Sequence, residues 1–354
     1  MTFTSNQRIF FALAALLFSG LACHAATRLI IPDTPTPPPP TSTPTFVPTL
    51  VPTIAPSATS TLAAYEASCP LIVSQIIEDA ISTDNTVHGN EASSEDEVTY
   101  MVHYTVIGDE LKTPLFYPVK KSLEDEQQDR DAQDEIWNLY TRLIPAEQRE
   151  VLKGFVIFTD GSENYLASVN QSDKDPYKWD LNVDIADSTQ KTSLTYTLIH
   201  EQAHLLTLTK DQVEASIRLH HGFDDDTYQE EVDACPQYFT GEGCSNPDSY
   251  INEFFNRFWP DIYAEWQEID EIENERIREN RLESFYDTYE DQFLTDYAPT
   301  NPAEDIAESF TFFVLSPRPE QNSIANEKFS FFYEYPDLVD LRTQILDRIC
   351  TEFQ

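Results

Sequence analysis

Residues 192–208 read TSLTYTLIHEQAHLLTL. Leu194, Leu198, Leu205 and Leu208 recur at helical spacing with no glycine or proline between them, and Asp187 or Ser188 stands upstream to cap the start. The segment predicts a buried helix. His200 and His204 lie four residues apart, so both imidazoles leave one face of it within reach of a single ion. Glu201 stands beside them, placed to reach a water held at that ion. A pair of plain surface histidines is the bland alternative. On an apolar helix, however, unpartnered imidazoles are costly to bury, which favours a metal. Zinc (Zn2+) suits two neutral imidazoles and a carboxylate, with a fourth position left for water or substrate.

Outward from this helix, the chain reads as an α+β domain. Val98 to Ile107, VTYMVHYTVI, is an alternating β-branched and aromatic run that predicts a strand, followed by a turn at Gly108-Asp109. A helical stretch is expected before it over 63–81. Another is expected over 123–143, where Ile136, Trp137, Leu139, Tyr140 and Leu143 keep mostly helical spacing and Pro145 ends the run. Three strand-like segments, Phe155–Thr159, Tyr165–Val169 and Trp179–Ile185, lead directly into the motif helix. The second half is rich in aromatic helix faces, Tyr250–Phe258, Ile262–Trp266 and Ile272–Tyr286. Phe254, Phe255, Phe258 and Trp259 there are expected to be core. A small sheet on an active-site helix with a mostly helical C-terminal half is the arrangement this order predicts.

Composition bounds the partners. The formal net charge is −40, from 62 acidic and 22 Lys and Arg residues, and nearly all of it lies beyond residue 58. Nucleic acid and an anionic membrane surface are poor partners for such a chain. Arg8 followed by the apolar run Ile9–Ala22 suits a signal peptide over 1–25. Ser-Gly-Leu-Ala-Cys ends at Cys23, which a lipid could modify, so the only expected membrane link is a lipid anchor; cleavage after Ala25 is the alternative. Residues 26–60 form a Pro/Thr-rich linker, extended like a stalk, and 61–354 the folded domain of an exported, monomeric protein. Four further cysteines allow three pairings, of which Cys69–Cys350 and Cys235–Cys244 are expected.

A metal centre needs a third protein ligand. The extended metzincin pattern fails, because Thr207 and Lys210 stand where it needs Gly and His. Glu214 and Asp224 to Asp226 lie on a charged, solvated stretch, and His220 and His221 are expected to be exposed loop residues. A second helix opening at Asn301-Pro302, NPAEDIAESFTFFV, carries Glu304 and Glu308 four apart on one face of an otherwise apolar stripe.

HEQAH with a distant E-D-I-A-E resembles the gluzincin arrangement, especially that of bacterial zinc-binding metallopeptidases and lethal-factor-like zincins. The resemblance covers the motif helix, the second helix and the stretch leading into it, and implies a zincin-like catalytic domain. It implies Glu304 as third zinc ligand, Glu308 as the carboxylate that fixes the His200 tautomer, and Glu201 as general base. Glu308 stands where many gluzincins have Asp, so the two glutamates could exchange roles. Tyr297, seven residues before Glu304, matches a family tyrosine that can donate to an oxyanion; a packing tyrosine is the alternative. The implied activity is hydrolysis of a peptide or protein substrate. The alternative is a metal-binding or adhesion domain on a stalk, without turnover.

Overall fold

A computed structural model describes residues 68–82, 98–161, 165–319 and 323–354. The expected signal peptide with Cys23, and the linker, lie outside the described residues. The elements of the N-terminal half are α1 (Pro70–Ser82), β1 (Thr99–Ile107), β2 (Glu110–Phe116), α2 (Glu124–Gln127), α3 (Arg130–Leu143), β3 (Leu152–Thr159), β4 (Ala167–Ser172), β5 (Asp175–Asp184) and α4 (Lys191–Thr207). A two-stranded ribbon, β6 (Val213–Ala215) and β7 (Gly243–Ser245), follows, with α5 (Ile217–His221) and α6 (Asp225–Ala234) between its strands. The rest is helical: α7 (Tyr250–Phe258), α8 (Tyr263–Asp270), α9 (Glu275–Tyr289), α10 (Pro302–Leu315), α11 (Ile324–Ser330) and α12 (Pro336–Glu352).

The five-stranded sheet has the order β2-β1-β3-β5-β4, with β3 and β5 parallel and every other pair antiparallel. Strand β3, LKGFVIFT, is buried at all but one position, as a central strand covered on both faces must be. Helix α3 lies on one face, where Trp137 meets Phe155 with ring centroids 5.3 Å apart. The Tyr140 hydroxyl donates to Gln202 Oε1 at 2.7 Å, tying α3 to α4. Helix α4 is buried along nearly its whole length between the sheet, α1 and α10. Phe254 and Trp259 are fully buried and Phe258 nearly so, in line with the core expectation, while Phe255 is partly covered.

Several local expectations are revised. The helix expected over 123–143 is two helices, because Gln127 turns inward to donate to the Met101 and Tyr117 carbonyls and Asp129 caps α3 by accepting from the Ala132 amide. Helix α4 begins at Lys191, with Gln190 at its N-cap making no side-chain bond. Strand β2 was not legible: its ELKTPLF carries a proline and is exposed at all but one position, as an edge strand permits. His220 and His221 lie in α5, not in a loop. His221 is exposed, whereas His220 Nε2 lies 2.9 Å from the Ser172 carbonyl at the end of β4.

Both expected disulfides are present. Cys69–Cys350 joins the start of α1 to the end of α12 across 281 positions, and Cys235–Cys244 closes a span of 9. Disulfides of this kind fit an oxidising, extracytoplasmic setting. Among the described residues no helix is long and apolar enough to cross a membrane. Chain-entropy reasoning ranks the two bridges: replacing Cys69 and Cys350 by serine should cost about 3–5 kcal/mol, and replacing Cys235 and Cys244 about 2–3 kcal/mol. Denaturant titration of the two double variants checks the order; a larger loss for the short bridge would contradict it.

Candidate metal centre

The middle of α4 faces the first turn of α10. That turn is built by its own sequence: Asn301 accepts from the Ala303 and Glu304 amides at 2.8 and 3.0 Å, and Pro302 fills the first helical position. One turn of this helix therefore delivers Glu304 to the imidazoles of α4. Glu304 Oε2 lies 3.0 Å from His200 Nε2 and 3.2 Å from His204 Nε2, and the two ring nitrogens are 3.1 Å apart. Among the described residues these three form the one group of His, Cys, Asp or Glu side chains that can hold a metal ion.

Glu308, one turn further along, is completely buried. Its Oε1 meets His200 Nδ1 at 2.7 Å, and its Oε2 accepts from the Tyr196 and Thr295 hydroxyls, each at 2.8 Å. With one oxygen on the far ring nitrogen of His200 and the other on two hydroxyls, Glu308 backs the His200 ring while Glu304 faces the cluster. With an ion bound, a carboxylate at Nδ1 would hold the ring proton there and leave the Nε2 lone pair for the ion.

The triangle tests whether an ion fits. Metal bonds of about 2.0–2.1 Å in a tetrahedral shell put neighbouring ligand atoms roughly 3.3 Å apart. The observed edges of 3.0 to 3.2 Å are slightly contracted versions of that triangle. Lone pairs crowding one point repel unless a cation or protons lie between them, so the donor set fits a divalent ion. Glu201 and His204 are nearly buried, and Glu201 Oε2 and His204 Nδ1 find no hydrogen-bond partner among the described residues.

Electrostatics follow the same geometry. Burial alone would depress the His200 imidazole, but hydrogen bonds to Glu304 and Glu308 outweigh it and hold it well above its ordinary value. His204 is likewise raised, burial being overcome by the Glu304 charge. Burial would lift Glu304, yet the two imidazoles keep its carboxyl far below the usual range. Glu201 is pushed up, chiefly by burial, with the histidine charges partly opposing.

Tyr297 is also at the centre, its ring centroid 6.0 Å from that of His200. Burial and the charges of Glu304 and Glu201 raise its phenol well above the ordinary value. Sequence reasoning missed several neighbours. Tyr165, on the approach to edge strand β4, is close enough for Glu201 and Glu304 to act on its phenol. Glu242, in the turn before β7, is acted on by the His204 and Glu304 charges. Behind α10, Asp305 and Lys328 are both fully buried and paired at 2.7 Å, and the Trp259 indole donates to the same Asp305 oxygen at 2.8 Å. That cluster anchors the turn carrying Glu304. None of these partners has a local signature, because each is brought in from a remote segment.

Comparison with known protein families, curated proteins and solved structures gave no match. The site is therefore read from its own geometry.

Protons and metal compete for the imidazoles. Because both histidines are raised, metal affinity should be full above their raised values and fall as pH drops through them, while Glu304, being depressed, stays ionised. Calorimetric titration with a divalent transition metal at stepped pH should show proton release and this decline; pH-independent affinity would contradict the assignment. Glu308→Gln should weaken binding roughly 10–100-fold by loosening the His200 ring.

Proposed function

We propose that this protein is an exported zinc-dependent metallopeptidase with a zincin-like catalytic domain of gluzincin type. The observation that carries the proposal is the convergence of three ligand atoms from His200, His204 and Glu304, with the buried Glu201, which follows His200 directly in the helix, within electrostatic reach of all three. A purely structural site closes its fourth position with another side chain. Here the grouping has three members, and Glu201 follows His200 directly in the sequence.

His200, His204 and Glu304 would hold the ion. When bound, zinc would polarise the scissile carbonyl and make a nearby water acidic enough to lose a proton near neutral pH. Glu201 takes that proton as the water attacks and returns it to the leaving amine. Its raised pKa suits both halves of this transfer, since a base poised nearer the working pH can also act as the acid. Glu308 keeps the His200 proton on Nδ1, with Tyr196 and Thr295 holding the carboxylate in place. Tyr297 donates a hydrogen bond to the oxygen that gains negative charge.

Digestion of a broad peptide library by the zinc-loaded protein tests the proposal. Glu201→Gln should retain stoichiometric zinc and lose activity by about 10²–10⁴-fold, the range of a missing general base. Tyr297→Phe should lower kcat by roughly 10–100-fold with little change in KM, as expected for a group engaged only in the transition state. A Glu201→Gln protein with full activity would refute the mechanism. A folded, zinc-loaded wild type that cuts nothing would favour a binding or adhesion domain.

A further inference from the structure

We propose that Thr295 is a positioning residue for Tyr297: its hydroxyl ties the turn that carries this phenol to the carboxylate behind the metal centre, so that the turn and the His200 ring are held by one series of hydrogen bonds. The work assigned to Tyr297 rests on the peptidase reading, whereas the tie itself stands on geometry.

The segment leading into α10 is fixed at several points. Thr295 is buried, and its hydroxyl accepts from the Ala298 amide at 3.2 Å, three residues on, the pattern by which a threonine closes a turn. The Tyr297 carbonyl accepts from the Thr300 amide at 2.9 Å. The Trp266 indole donates to the Pro299 and Thr300 carbonyls at 3.1 and 3.0 Å. Tyr297 stands inside the span that Thr295 closes, with its ring centroid 6.0 Å from that of His200. Displacing Tyr297 therefore disturbs a turn whose first bond Thr295 makes.

The hydroxyl has one proton, and that goes to Glu308: Thr295 Oγ1 donates to Oε2 at 2.8 Å. The other oxygen of Glu308 meets His200 Nδ1 at 2.7 Å, and the same ring presents Nε2 to Glu304 at 3.0 Å. The His200 ring, the Glu308 carboxylate, the Thr295 hydroxyl and the Ala298 amide thus run in series. Tyr196 donates to the same Glu308 oxygen from α4, outside the turn. Closing the turn does not by itself call for threonine. Aspartate would accept the Ala298 amide equally well and would repel Glu308, and valine would fill the space and make neither bond. A hydroxyl accepts from an amide and donates to a carboxylate with one atom. Coupling between two sites is reciprocal, so an ion that orders the His200 ring also orders the turn, and loss of the hydroxyl weakens both.

Amide hydrogen exchange of the full-length protein, zinc-free and zinc-loaded, reads the tie without any substrate. In the wild type zinc should slow exchange at Ala298 by about tenfold or more. Thr295→Ser keeps the hydroxyl and should keep that slowing. Thr295→Val should cut it to about twofold or less and weaken zinc binding roughly tenfold, the low end for loss of a partner behind a metal ligand. Tyr196→Phe should weaken zinc binding to a similar degree yet leave the slowing in place, which separates an effect on Glu308 from an effect on the turn. In peptide digestion at saturating zinc, Thr295→Val should lower kcat with little change in KM, and that loss should vanish in a Tyr297→Phe background, because both act through one phenol. Exchange at Ala298 that ignores zinc in the wild type, slowing that survives Thr295→Val, or kcat losses that multiply would overturn the proposal. A zinc-loaded wild type that cuts nothing sinks the peptidase reading alone, since the exchange comparison still decides the tie.

Discussion

The buried carboxylate of Glu308 is the constraint on which the centre depends. It sits at zero exposure between α4 and α10 with every contact supplied: His200 Nδ1 at one oxygen, the Tyr196 and Thr295 hydroxyls at the other. An uncompensated charge at that depth would be expensive, so the three donors are a condition of folding as well as of function. Once α4 and α10 are locked through Glu308, the turn one step earlier in α10 has no freedom left. Glu304 is then carried to the two Nε2 atoms by helix geometry. The Asp305–Lys328–Trp259 cluster holds the far side of the same turn, so Glu304 is fixed between two buried polar anchors.

The centre is thereby overloaded with negative charge. Glu304 and Glu308 act on the His200 imidazole, and Glu304 and Glu201 on that of His204. The raised imidazoles and the depressed Glu304 mark a place where positive charge is stabilised, whether carried by protons or by an ion.

Much of this was legible in the sequence where the signal is local. HEQAH on an apolar, glycine-free helix located half of the centre, and Asn301-Pro302 with Glu304 and Glu308 four apart located the other half. The α+β order and both disulfides also followed from pattern and compartment. Illegible features were those decided by tertiary contact. Nothing in EDEQQD foretells that Gln127 will turn into the core and break a long helix in two. Strand β2 lacks an apolar face because it lies at a sheet edge. Thr295 and Tyr165 near the centre, and Lys328 behind α10, come from segments with no motif of their own; only the packing of remote elements reveals them. The roles of Glu304 and Glu308 were interchangeable on spacing alone, and what separates them in space is which oxygens already have donors.

The most direct measurement is anomalous X-ray diffraction from crystals of the zinc-loaded protein at the zinc edge. One strong peak is expected, bonded to His200 Nε2, His204 Nε2 and Glu304 at about 2.0–2.2 Å with a fourth position not taken by protein. No peak at this triad, or an ion whose fourth position is closed by another side chain, would contradict a catalytic metal centre.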